Sequence, residues 1–213
     1  MSLEQYRRKR DFSRTPEPTG TAPQPSAAGR RFVVQRHRAR SLHYDFRLEI
    51  DGVLVSWAVP KGPSLDPNLK RAAFHVEDHP LDYYDFEGTI PAGAYGAGDV
   101  IVWDWGTFEP EATDDPGGAL EAGELKLVLR GDKLRGRFTI VKTRAWDGGT
   151  GRSERESWLL IKKRDEFAVP GWDVEALAFS VLTGRTQEEI AQELPARKPA
   201  HSKKKRAGST PAV

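Results

Sequence analysis

The 213-residue chain has no cysteine. Disulfides and thiolate-held metals are thereby excluded, so any metal must be held by histidine and carboxylate. The absence fits a reducing compartment, and a cytoplasmic location is expected. No apolar run approaches membrane-spanning length. The N-terminal segment is positively charged but lacks the apolar core of a secretory signal, so no membrane partner is expected. An excess of one charge sign is also missing: 33 Lys and Arg face 31 Asp and Glu, a net charge of +2. The distribution says more than the sum. "YRRKRDFSR" near one end and "HSKKKRAGS" near the other are both basic. Such ends suit nucleic acid and suit solvated tails equally well.

Composition divides the chain into three parts. Residues 13–29, "SRTPEPTGTAPQPSAAG", are rich in Pro, Thr, Gly and Ala, and 1–29 reads as a flexible basic arm and linker. Residues 30–180 are the folded domain; a hydrophobic content of 38% suffices for one core. Residues 181–213 read as a short helix, "TQEEIAQEL" with Thr186 and Glu189 as a capping box, and a disordered tail from 195. No internal repeat is present.

The folded part is strand-like. In "HYDFRLEID" (43–51), Tyr44, Phe46, Leu48 and Ile50 fall on one face and His43, Asp45, Arg47 and Glu49 on the other, the period of a half-buried strand. Asp51-Gly52 is a preferred hairpin turn, and "VLVSWAV" (53–59) is the return strand. "FVVQRH" (32–37), "AAFHVED" (72–78), "DVIVWDW" (99–105), "ELKLVLR" (124–130), "KLRGRFTIVKT" (133–143) and "ESWLLIKKR" (156–164) complete the series. About eight short strands predict a mainly β fold, an antiparallel barrel with a few short helices.

"HRARSLHYD" (37–45) concentrates two histidines and an aspartate. On a strand His43 and Asp45 share a side, their Cα atoms about 6.6 Å apart. A straight chain would leave His37 about 20 Å from His43, so it joins them only if "RARSL" turns. The spacing is then compatible with a three-ligand site that leaves positions open. Three readings stand at this point. Arg47, Lys61 and Arg71, with His75, Glu77 and His79 on one face of "FHVEDHP", describe a metal site ringed by cations, suited to phosphate. His43, Asp45 and a distant His79 also match the facial triad of a non-haem iron oxygenase. A non-catalytic barrel could grip nucleic acid by stacking Trp57, Trp103 and Trp105 on bases, although aromatics inside strands more often pack a core.

"LHYDFRLEIDGVLVSWAVPKGPSLDP" and "VEDHPLDYYDFEGTIPAGAYGAGDVIVWDWGTFEP" closely resemble the 3′-phosphoesterase domain of bacterial DNA ligase D, from about Phe32 to Ile161, and "KRDF" (9–12) resembles that family's N-terminal basic–acidic pair. The resemblance implies a β-barrel and a manganese-dependent enzyme; zinc fits the same donors. It implies a phosphodiesterase that removes a 3′-terminal ribonucleoside and a phosphomonoesterase that converts the resulting 3′-phosphate to a 3′-hydroxyl. Its implied metal ligands are His37, His43 and Asp45, and its phosphate contacts Arg47 and His79. Lys61, Arg71, Glu77 and Tyr83 match further functional positions, and Arg10 with Asp11 match a substrate-binding pair. Implied partners are DNA primer-template or duplex ends, a ligase on a separate chain and end-binding repair proteins, in the nucleoid. Arg38 departs from the family, where an acidic residue is common. With 213 residues there is no room for ligase and polymerase domains, so a stand-alone enzyme is expected.

Overall fold

The computed structural model describes residues 2–20, 30–143 and 156–197. Eight strands close into an antiparallel barrel: β1 (Arg31–Arg38), β2 (Leu42–Ile50), β3 (Val53–Val59), β4 (Lys70–His75), β9 (Ser157–Lys162), β8 (Arg135–Lys142), β7 (Glu124–Gly131) and β6 (Gly98–Pro110), which pairs back onto β1. These are the eight expected strands. The short β5 (Gly88–Ile90) adds to the edge of β6 and carried no sequence signal of its own. Helix α1 (Glu4–Arg8) precedes the barrel, α2 (Pro116–Glu121) joins β6 to β7, and α3 (Gln187–Ala191) follows. No helix among the described residues is long and apolar enough to cross a membrane.

Local chemistry explains the hairpins. Asp51 and Gly52 both take positive φ, 49° and 81°, the turn that matches strand twist. Gly98 must be glycine, because a Cβ there would meet the Arg38 carbonyl oxygen at 2.2 Å. The capping box on α3 is formed as expected, with Thr186 and Glu189 each bonded to the other's backbone.

The inward face of β2 carries Tyr44, Phe46, Leu48 and Ile50, which join Phe32, Trp57, Trp103 and Phe138 in the core. Trp57 and Trp103 are thus packing residues, and Trp105 stacks on Tyr84. A bulge opposite Val34 and Gln35 lets two consecutive residues, Trp103 and Asp104, both be fully buried.

The outward face of β2 differs from the half-buried expectation. Asp45, Arg47 and Glu49 are buried as well. A second apolar cluster lies on this side, formed by Tyr6 of α1 with Val33, Leu54, Tyr83 and Val102. The segment expected to be a flexible arm is, through residue 20, laid on the barrel. Tyr6 is fully buried and donates to the Pro18 carbonyl, while Thr15 and Glu17 are also buried. The proline-rich composition reads as a linker because its anchoring contacts run to other residues of the arm and to the segment after β4, which no local pattern reveals. Residues 21–29 lie outside the described residues. After position 180, Gln187 is buried and donates to the Arg36 and Asp99 carbonyls, so α3 belongs to the barrel's covering. The tail from 198 lies outside the described residues.

Candidate metal and phosphate site

Antiparallel register builds the site. His37 lies directly opposite His43, Gln35 opposite Asp45, and Val33 opposite Arg47. Residues 39–41 make the turn that "RARSL" was expected to supply, so His37 reaches the other two. His43 Nε2 lies 3.6 Å from Asp45 Oδ1, and His37 Nδ1 lies 3.7 Å from Asp45 Oδ2. One ligand atom from each residue falls within 4.8 Å of the others.

The backbone sets the tautomers. His37 Nε2 donates to the Gly96 carbonyl at 2.8 Å, and His43 Nδ1 donates to the Ser41 carbonyl at 2.9 Å. Each ring therefore turns its unprotonated nitrogen toward Asp45, the usual arrangement of a metal-ligating histidine. Gly96 holds its carbonyl in place at φ 76°. Two histidines and one carboxylate, oriented in this way, fit a divalent ion of the manganese or zinc kind.

Arg47 is fixed beside this cluster. It donates from Nη2 to Asp45 Oδ2 at 3.1 Å, from Nε to Gln35 Oε1 at 2.8 Å and from Nη1 to Ser56 Oγ at 2.8 Å. Burial opposes ionisation of Asp45, but the Arg47 charge beside it, foremost, outweighs it and holds the carboxyl well below its usual range.

His79 faces the cluster from the segment after β4, where it bridges to Leu54 through two backbone bonds. Its Nδ1 donates to the Glu77 carbonyl at 2.9 Å, leaving Nε2 to accept from Arg10 Nη2 at 3.2 Å. Burial, reinforced by Arg47 and Arg10, pushes the imidazole pKa well down. The free protein therefore holds His79 neutral. Arg10 in turn pairs with Glu17 at 2.8 Å and Glu77 at 3.3 Å. Tyr83 donates to Glu17 at 3.0 Å, and burial with the nearby Glu17 charge keeps its hydroxyl protonated.

These groups line one cleft of about 390 Å³, which contains Arg10, Glu17, His37, His43, Asp45, Arg47, Glu77, His79 and Tyr83. Four expected residues are not brought into it, and one of them, His75, lines a neighbouring cleft instead. Lys61 is exposed just past Pro60 on the rim. Arg71 shares the strand parity of the core residue Ala73, opposite to the cleft-lining Phe74, and its buried Nε has no partner among the described residues. Asp11 is exposed and accepts from Ser13. The triad of His43, Asp45 and His79 is not assembled either; His37 is the second histidine of the cluster.

Gln35, Ser56 and Glu17 were missed in the sequence. Gln35 shares strand parity with His37 and Ser56 lies opposite Arg47, so register would have found both. Glu17 sits in "TPEPTG", where nothing marks it.

The fold and this cluster together define a β-barrel with a candidate two-histidine, one-carboxylate metal centre. The chain belongs to the DNA ligase D 3′-phosphoesterase domain family, whose model matches residues 35–142. It is similar to the multifunctional non-homologous end joining protein LigD of Pseudomonas aeruginosa, 55% identical over 164 residues, covering 76% of this chain and 19% of that protein. The multifunctional non-homologous end joining DNA repair protein LigD of Mycobacterium tuberculosis is 51% identical over 142 residues, covering 66% of this chain and 18% of its own length. The LigD protein of Mycolicibacterium smegmatis is 41% identical over 170 residues, 77% of this chain and 21% of that protein. The chain thus spans about a fifth of these relatives.

Proposed function

We propose that the protein is a metal-dependent hydrolase that prepares DNA 3′ ends in end-joining repair. A phosphodiesterase activity removes a 3′-terminal ribonucleoside, and a phosphomonoesterase activity converts the 3′-phosphate left behind to a 3′-hydroxyl that a ligase can seal. The observation that carries this reading is the convergence of His37, His43 and Asp45 beside the fixed guanidinium of Arg47, in a member of a phosphoesterase family. Manganese is the metal of this proposal, and the cytoplasmic nucleoid is its setting.

A divalent ion held by the three residues would neutralise a non-bridging phosphate oxygen and acidify a bound hydroxyl or water. The chain's own groups do the rest. Three of the five N–H donors of Arg47 are committed to Asp45, Gln35 and Ser56, leaving two to fork onto phosphate oxygens. Arg10, held by Glu17 and Glu77, faces the same space. A phosphate bound between the two guanidiniums supplies negative charge beside His79 and raises its pKa. His79 Nε2 can then carry the proton that the leaving oxygen needs. Tyr83, protonated throughout, buttresses Glu17. Lys61 reaches strand phosphates from the rim, whereas Arg71 and Asp11, outside the cleft, are assigned no contact with the scissile phosphate.

The test is to strip the protein of metal, restore one divalent ion at a time, and follow a labelled primer–template ending in one 3′ ribonucleotide. The expected sequence is starting strand, 3′-phosphate, then 3′-hydroxyl. Persistence of the starting strand under every ion would overturn the enzyme reading in favour of a binding module. Turnover that required ferrous iron and oxygen, without phosphate release, would instead support an oxygenase.

A further inference from the structure

The metal cleft does not end at Glu77. A second cleft, of about 590 Å³, opens on the far side of Glu77 and Tyr95, and both residues line both spaces. Tyr95 stands on the glycine-flanked turn before β6 and is 46% exposed, an uncommon placement for a ring at the junction of two clefts. It is also braced: Lys9 Nζ donates to its hydroxyl at 3.2 Å and lies 4.9 Å from the ring centre, and Arg10 lies 5.5 Å from it. An exposed ring held in one orientation offers a stacking face at little ordering cost.

Charge gives the junction a direction. The second cleft is lined by Glu4, Glu77, Asp78 and Glu156 against Lys9 and His75. Lys9 is paired with Glu77 at 3.0 Å and Glu156 with Lys142 at 2.6 Å, which leaves Glu4 and Asp78 without a cationic side-chain partner at ion-pair distance among the described residues. The rim of the metal cleft on the opposite side carries Arg40, between the lining residues Ala39 and Ser41, and Lys61, after Pro60. Both cations are exposed. A polyanionic strand is attracted to that rim and repelled by the carboxylate-lined cleft. A terminal nucleoside, which has no phosphate beyond the scissile one, escapes the repulsion.

We propose that the second cleft is the subsite for the departing 3′-terminal nucleoside, with Tyr95 as its stacking wall and the carboxylates as a filter against any further phosphate. This rests on the phosphodiesterase reading above and adds where the leaving group sits and why one nucleoside leaves at a time. Tyr95 is a positioning residue, since it touches the nucleoside and not the reacting phosphate. The bond broken is the one between phosphorus and the 5′-oxygen of the terminal nucleoside; water supplies the oxygen that stays on phosphorus and the proton that leaves with the nucleoside.

The experiment compares two substrates on the full chain loaded with manganese. One primer ends in a 3′ ribonucleoside and the other in a 3′-phosphate. Tyr95→Ala is expected to lower kcat/KM for nucleoside removal about tenfold, within the range of base–aromatic stacking, chiefly through KM, and to change phosphate removal less than twofold. Tyr95→Phe, which keeps the ring, is expected to restore nucleoside removal. Equal losses on both substrates, or no loss on the first, would overturn the subsite. If the unaltered protein processes neither primer, the proposed function itself fails. In the second arm, Asp78→Asn with Glu156→Gln is expected to release dinucleotide from a primer ending in two ribonucleotides, where the unaltered protein releases nucleoside. Nucleoside as the sole product in both would overturn the charge filter.

Discussion

Two buried aspartates, one on each face of the same barrel wall, behave in opposite ways. Asp45 faces outward among Arg47, His37 and His43, and the Arg47 charge, foremost, overcomes the cost of burial to keep it ionised. Asp104 faces inward beside Trp103 and is fully buried. Its partners are the backbone amides of Asp132, Lys133 and Leu134, at 2.8–2.9 Å. Burial wins there, and its pKa is raised to about 6 despite those amides. Burial alone therefore says little about a carboxylate's charge. The charges packed against it decide between a metal ligand and a structural cap.

The comparison can be broken most severely at Asp45. Asp45→Asn is expected to abolish both activities and bound metal while leaving the folded β signal intact, since the amide keeps the volume and one acceptor. Metal content by atomic emission and far-ultraviolet circular dichroism check the two halves; full activity in the variant would remove Asp45 from the site. The neighbouring inward residue should fail differently. Phe46→Ala leaves a cavity in the core and should cost about 3–5 kcal/mol of stability. Denaturant melts would show a lowered midpoint, with metal affinity unchanged in the fraction that remains folded.

The next effect concerns Asp104. Its folded pKa lies above the unfolded value, so the folded state holds the proton longer as pH rises. Stability tied to this group is intact below about pH 4 and is lost as pH climbs through about 6, by about 3 kcal/mol for a two-unit shift. Asp45, with its depressed pKa, has the opposite sign: its contribution is present above the unfolded pKa and lost in acid. Asp104→Asn cannot ionise, so its melting temperature relative to the unaltered protein should rise between pH 4 and pH 8. A constant offset would mean that Asp104 is charged at both.

The smallest expected effect tests the covering of the outer face. Glu17→Ala leaves Arg10 and Tyr83 without a shared acceptor and should cost about 1–3 kcal/mol. Limited proteolysis should cut near residues 10–20 sooner, and diesterase activity should fall more than metal affinity. An arm that stays equally protected would show that its other contacts, such as Tyr6 and the Lys9–Glu77 pair, hold it without Glu17.

Much of the barrel could be read in advance because its signals are local. Alternation in 43–51 declares a strand, Asp51-Gly52 declares its turn, and Thr186 with Glu189 declares a helix start. The metal cluster was legible for the same reason: two strands joined by a short turn place His37 against His43 through register alone. β5, three residues long, and the bulge at Trp103 fall below that resolution.

The sequence by itself determined which residues alternate, where the chain turns and which donors a metal would find. Only the tertiary structure decided that the polar face of β2 is buried, that a proline-rich arm supplies Arg10 and Glu17 to its cleft, and that Arg71 turns away from it. The physical reason is range. A strand's period is set by its own backbone, whereas the face that becomes covered depends on segments far away in sequence, as Arg10 lies 67 residues from Glu77 and 69 from His79.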